Sequence, residues 1–174
     1  MSASWRPAIA VVVVVVALTT LASACAPTGG GGGSTGVACP TPGAGQVRVA
    51  VVVDAIALGS SVASVVCVVV NSGASGVAAL QARATLLGQP APRFDVSGLL
   101  CAIDGAPIVP HCGDVGPNGF EYWSYWSGGS SWTYATTGPA TRHLGDGAVE
   151  GWRFAAGGPQ VAPASSPSFA QLVR

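Results

Sequence analysis

Nine of the twelve aromatic side chains lie between Phe120 and Phe154, and this window holds most of the residues suited to recognition chemistry. Phe120, Tyr122 and Trp126 fall on one face of a β-type run, Trp123 and Tyr125 on the other. Trp132 and Tyr134 share a face of the next run, so aromatic pairs across the two strands follow. Two roles suit such a concentration. It is either the core of a Leu-poor domain or an exposed platform for a flat or greasy ligand or a partner. As a platform, Trp123, Trp126, Trp132 and Tyr134 supply the apolar surface, and the loop around Asp104 and Asn118 the polar contacts. Catalytic groups are sparse. The chain has no G-x-S-x-G elbow, P-loop or G-x-G-x-x-G after a strand. His111 and His143 are too few for a self-evident metal site, and His111 beside Cys112 and Asp114 is a ligand cluster only if Cys112 is a free thiol. Glu121 and Glu150 would form a carboxylate pair if they met across the sheet, but Arg142 and Arg153 are available as their partners. These residues predict no enzyme, no metal and no resident cofactor.

Export is written in the first 25 residues. Arg6 precedes the apolar run Ala8–Leu18, with six consecutive valines, and then Leu21-Ala22-Ser23-Ala24-Cys25. A basic start, a short apolar core and small residues at the end read as a signal peptide over residues 1–24. The core is shorter than the ~20 residues needed to span a bilayer. Cysteine directly after the small residues resembles a lipoprotein lipobox, although Leu21 stands one place earlier than usual. Cys25 is therefore expected to carry lipid and hold the protein on the outer face of the cell membrane. The alternative is plain secretion with a free thiol at Cys25.

Four further cysteines remain, Cys39, Cys67, Cys101 and Cys112, an even number in an exported chain. That predicts two disulfides with three possible connectivities, of which Cys39–Cys67 and Cys101–Cys112 are favoured. No C-x-x-C occurs, which argues against a zinc ribbon or a redox motif. Beyond Arg6 there are six arginines against seven acids and no lysine, so the formal charge is 6 − 7 = −1. Near-neutrality excludes a nucleic-acid partner, whose phosphates demand clustered cations.

The elements that must position these residues follow from periodicity. Residues 25–45 read as the anchor cysteine and a Gly-rich linker. The β-branched runs 47–53 and 62–70 form a hairpin about Gly59-Ser60-Ser61. Val77, Leu80, Ala84 and Leu87 recur at helical spacing, with Ser75 as N-cap and Gly88 as stop. Residues 94–103 read as a strand ending in an Asp104-Gly105 turn, and 105–119 as an irregular loop. Runs 120–127 and 131–136 form a second hairpin, 149–155 a last strand, and 157–174 a frayed tail. One helix among strands must bury its stripe on a sheet. The expected fold of 46–156 is thus a two-layer α+β domain, β-grasp-like, with an antiparallel sheet curled around one helix.

Cys101-Ala102-Ile103-Asp104-Gly105-Ala106-Pro107, Cys112, Tyr122-Trp123-Ser124-Tyr125-Trp126, Ser131-Trp132-Thr133-Tyr134 and Val149-Glu150-Gly151-Trp152 together resemble a family of exported actinobacterial domains of unknown function. That family is similar to the C-terminal, cobalamin-capping domain of transcobalamin and intrinsic factor, and the resemblance covers roughly residues 46–155. It implies a small cofactor or vitamin, cobalamin-like, as ligand and a membrane transporter as partner. The expectation is a lipid-anchored binding module for an uptake system. The alternative is a cell-surface structural or protein–protein interaction module with no small ligand.

Overall fold

The computed structural model describes residues 36–109 and 112–174. The signal segment, Cys25, the linker up to residue 35 and His111 lie outside the described residues.

One strand decides the architecture. β1 (Gln46–Asp54) is buried continuously from Val49 to Asp54. Its successive residues are apolar on both faces, so both faces of the sheet around it must be covered. β1 pairs antiparallel with β2 (Ser64–Asn71), Ala50 opposite Cys67. Its other side pairs with β8 (Ala148–Ala156), and this pairing is parallel, Val53 opposite Trp152. The sheet is therefore mixed, not antiparallel throughout as expected; a strand buried on both faces suits a parallel neighbour. β8 continues antiparallel into β6 (Gly119–Ser127), with Tyr125 opposite Trp152. The outer edge of β6 carries β5 (Asp114–Gly116) at one end and β7 (Thr133–Tyr134) at the other. The open sheet thus runs β2-β1-β8-β6, with β5 and β7 sharing its last edge.

The first face is covered by α1 (Gly76–Leu87), as the periodicity predicts. The Ser75 hydroxyl accepts from the Ala78 N–H at 3.2 Å, and Gly88 ends the helix at φ 63°. The buried stripe is Gly76, Ala79, Leu80, Arg83 and Ala84. It is turned from the expected one, because Arg83 sits at its centre and Leu87 stays exposed. Gly76 is where the helix meets β6: a Cβ there would lie 2.8 Å from the Tyr125 hydroxyl and 3.1 Å from Pro139. Beneath α1, against Ala79 and Leu80, pack Val49, Val51, Val68, Trp123, Tyr125, Trp152 and Phe154.

The second face is closed by the two ends of the domain. Ala50, Val52, Cys67 and Val149 pack there with Leu172 and Val173. Residues 157–174 do not fray. Val37 bridges Val173 in parallel, Arg153 donates to the Ala162 carbonyl, and the short α2 (Phe169–Leu172) buries Leu172. The expected two layers therefore acquire an irregular cover on the side away from α1. Its partners are the second faces of β1 and β8, whose apolar residues need it.

Two more expectations change. Residues 94–103 are not one strand but a small hairpin of β3 (Arg93–Phe94) and β4 (Leu100–Ala102). Asp95 makes the turn, its carboxylate accepting from the Ser97 and Leu99 N–H groups at 2.8 and 2.9 Å, with Gly98 at φ 87°. The loop 105–119 contains β5. The disulfides are Cys39–Cys67, with Cα atoms 5.0 Å apart, and Cys101–Cys112, at 4.4 Å. Two disulfides suit an oxidising, extracytoplasmic compartment. No helix among the described residues is long and apolar enough to cross a membrane.

Candidate functional site

Burial first separates structural chemistry from available chemistry. Arg83 is only 2% exposed and lies against the Asp104 carboxylate at 2.7 and 2.8 Å, with Ser64 Oγ at 3.2 Å. Asp104 itself heads a tight turn at φ 54°, closed by reciprocal bonds between Ile103 and Ala106. Its carboxylate is committed to α1, not presented to a ligand. Asp54, buried, accepts from the Ile56 and Ala164 N–H groups and lies 3.3 Å from Arg153. It joins β1 to the C-terminal cover.

Glu150 is fully buried on β8 and accepts from the Tyr125 hydroxyl and, at 3.2 Å, from Arg142 Nε. Burial raises its pKa above the ordinary glutamate value, against the lowering effects of Tyr125 and Arg142. The Tyr125 hydroxyl is pushed up as well, first by burial and then by the Glu150 charge. Glu121 is no partner to Glu150. It pairs with Ala156 while Glu150 pairs with Ser127, six residues along the ladder, about 20 Å.

The raised Glu150 pKa has a testable sign. The folded state holds this proton more tightly than the unfolded chain, so the stability it contributes is present below about pH 4.3 and lost as pH rises through the folded value. Glu150→Gln should remove this loss. The thermal midpoint of the parent relative to the variant should fall as pH rises above about 4; parallel curves would show that Glu150 titrates normally.

The aromatic residues do not form one platform. Trp123 and Trp152 are core; Trp123 meets Phe154 edge-on at 5.4 Å, and Trp152 lies tilted on Tyr125 at 5.2 Å. Trp126 is buried on the opposite face, edge-on to Tyr134 at 5.1 Å, its indole donating to Ser124 Oγ. Trp132 covers Gly151, where a Cβ would come within 2.7 Å of its ring, and donates to the Ser165 carbonyl at 3.0 Å. Asn118 is exposed in the β5–β6 turn.

Two concave regions bear on recognition. The first is a cleft of about 230 Å³ beside β6, lined among others by Leu99, Tyr122, Trp123, Tyr134 and Trp152. Of the six predicted ligand residues it gathers only Trp123 and Tyr134, and leaves out Trp126, Trp132, Asp104 and Asn118. The cross-strand register that brings Trp152 beside Tyr125 was the missing signal. The indole N–H groups of Trp123 and Trp152 are buried without a hydrogen-bond partner. Each such group costs about 1–3 kcal/mol.

The second region flanks the outer edge of β2. A groove of about 550 Å³ runs between Val68-Val69 and the α1 residues Ala78, Gln81, Ala82, Thr85 and Leu86. A second, of about 450 Å³, lies along Val65–Cys67 and the entering segment Val37–Pro40. Pro40 and Leu86 border both, and no charged side chain lines either. The Ser72 N–H donates to the Gly45 carbonyl, so even-numbered residues of β2 bond to β1. Val65, Cys67 and Val69 therefore turn their N–H and C=O groups outward, and no described backbone group bonds to them.

The described chain is thus a sheet-dominated α+β domain, stapled by two disulfides, whose aromatics are mostly core and whose open apolar surface is a sheet edge. A family model, the SCO2322-like domain, a family of unknown function, matches residues 115–173. The matched stretch spans β6, β7, β8 and the C-terminal cover, and carries no link to transcobalamin or intrinsic factor. No curated protein matches the chain.

Proposed function

We propose that this chain is an extracytoplasmic interaction module that takes up an extended apolar segment of a partner protein along the outer edge of β2. The carrying observation is a strand edge to which no described backbone group bonds, flanked by two uncharged grooves. The side chains of an added strand would meet these uncharged grooves. Main-chain bonds to Val65, Cys67 and Val69 would supply affinity. Exposed strand edges are usually blunted by lysine, proline or a bulge. β2, with the sequence Ser-Val-Val-Cys-Val-Val-Val-Asn, carries none of these. A lipid on Cys25 would hold such a module at the membrane surface, beside envelope or transporter partners. The cobalamin-like reading draws less support, because the predicted aromatic platform is dispersed and the 230 Å³ cleft is far smaller than a corrin macrocycle.

A lysine-flanked, valine-rich octapeptide is the probe. On binding, the outward amides of Val65, Cys67 and Val69 should become protected from hydrogen exchange, whereas a proline-interrupted version should leave them open. Val69→Lys should weaken binding at least tenfold, about 1.4 kcal/mol. Amides already protected in the free monomer would overturn the reading. So would a concentration-dependent dimer sealed along β2, which would make a second copy the occupant.

A further inference from the structure

The outer edge of β6 is paired twice, with a gap between. β5 occupies Gly119–Glu121, and β7 occupies Trp126–Ser127. The Phe120 carbonyl accepts from Gly157 N–H on the β8 side, and the Tyr125 carbonyl accepts from Ala135 N–H on the other side. Antiparallel ladders alternate in this way, so Trp123, like Tyr125, turns its backbone N–H and C=O away from β8. Neither β5 nor β7 reaches Trp123, and no described residue bonds to that pair. The gap opens on the cleft beside Tyr122 and Tyr134. Two more donors belong to the residues lining it, the buried and unpartnered indole N–H groups of Trp123 and Trp152.

We propose that this cleft binds a compact, uncharged amide, whose C=O accepts from the Trp123 backbone N–H while its own N–H donates to the Trp123 C=O. One residue of an added strand presents this donor–acceptor pair, so the ligand class is an acylated amino-acid amide or a short neutral peptide. No charged side chain lines the cleft, which disfavours an anion or cation, since either would be desolvated there without a counter-charge. Leu99, Ala135, Pro139 and Trp152 supply apolar lining. A volume of about 230 Å³ limits the occupant to one or two residues. This site is independent of the β2 edge, from which β1 and β8 separate it, so either can fail alone.

Titrating N-acetyl-L-alanine N-methylamide into ¹⁵N-labelled protein tests the site. The Trp123 backbone amide and at least one of the Trp123 and Trp152 indole signals should shift and saturate. The O-acetyl-L-lactic N-methylamide analogue, in which an ester oxygen replaces the alanine N–H, should bind at least ~10-fold more weakly. Ala135→Leu, which fills the cleft, should abolish the shifts, and dispersed signals from the other tryptophans would report that the variant folds. Thr137→Trp at the exposed rim serves the same purpose without touching the packed wall. Absence of saturable shifts, equal binding of the ester analogue, or binding unchanged in both variants would overturn the proposal.

Discussion

Replacing Asp104 by alanine should destabilise the domain by about 3–5 kcal/mol, because it strands a buried positive charge. Arg83 lies on the inner stripe of α1 with almost no contact with water, and its Nη1 meets both Asp104 oxygens. Without the carboxylate, Ser64 Oγ is the one hydrogen-bond partner left to the guanidinium among the described residues. Its Nε already has none. The diagnostic comparison is the pair Asp104→Ala and Arg83→Met. Removing both charges replaces the ion pair with apolar volume, which is often neutral or stabilising. Denaturant unfolding should therefore show the double variant to be more stable than Asp104→Ala alone. If the double variant is the worse of the two, the contribution lies in packing by the Arg83 stem, not in charge compensation.

Trp152→Ala should cost a similar amount, about 3–5 kcal/mol, and lower the thermal midpoint by on the order of 10–20 °C. Trp152 is fully buried on β8, between Val53 of β1 and Tyr125 of β6, with α1 above it. Its removal empties the centre of the principal core and unseats the Tyr125 ring. Trp132→Ala is the internal control. That ring is half-buried on the opposite face and held by one hydrogen bond to Ser165. Its loss should cost clearly less in the same measurement. Equal effects from the two variants would mean that the aromatic residues act as one shared surface and not as a core plus a cover.

What the residues disclosed follows from the range of each signal. The α1 boundaries were legible because Ser75 and Gly88 act within one turn of themselves. The first hairpin and the aromatic hairpin were legible because their partners are neighbours in sequence. The parallel pairing of β1 with β8 was not, since it joins segments about a hundred residues apart. A local clue existed: the run from Val49 to Val53 is apolar on both faces, which a sheet wet on one side does not need. The same clue foretold a cover on the second face, yet the composition of residues 157–174, rich in Pro, Ala and Ser, suggested fraying. Leu172 and Val173 are the large apolar residues of that segment that are buried, and hydrogen bonds to Ala162, Ala164 and Ser165 fix the rest. The disulfide pairing was recovered because each favoured pair joins consecutive cysteines. The ligand platform failed as a constellation for a simpler reason. Alternation along a strand assigns rings to faces, but cannot say which face is wet.

The meeting of both chain ends at Cys39–Cys67 has a mechanical consequence. Tension arriving through the segment before Gly36 is met first by the Val37–Val173 bridge, and then passes through a covalent bond into the middle of β2. The stretch between the two cysteines, which are 28 positions apart and enclose all of β1, is thereby excluded from the load path. In the oxidised protein those residues add nothing to the extension of a pulled chain; on reduction they would release roughly 95 Å of slack. A domain built this way keeps its central strand unloaded when force enters through Val37.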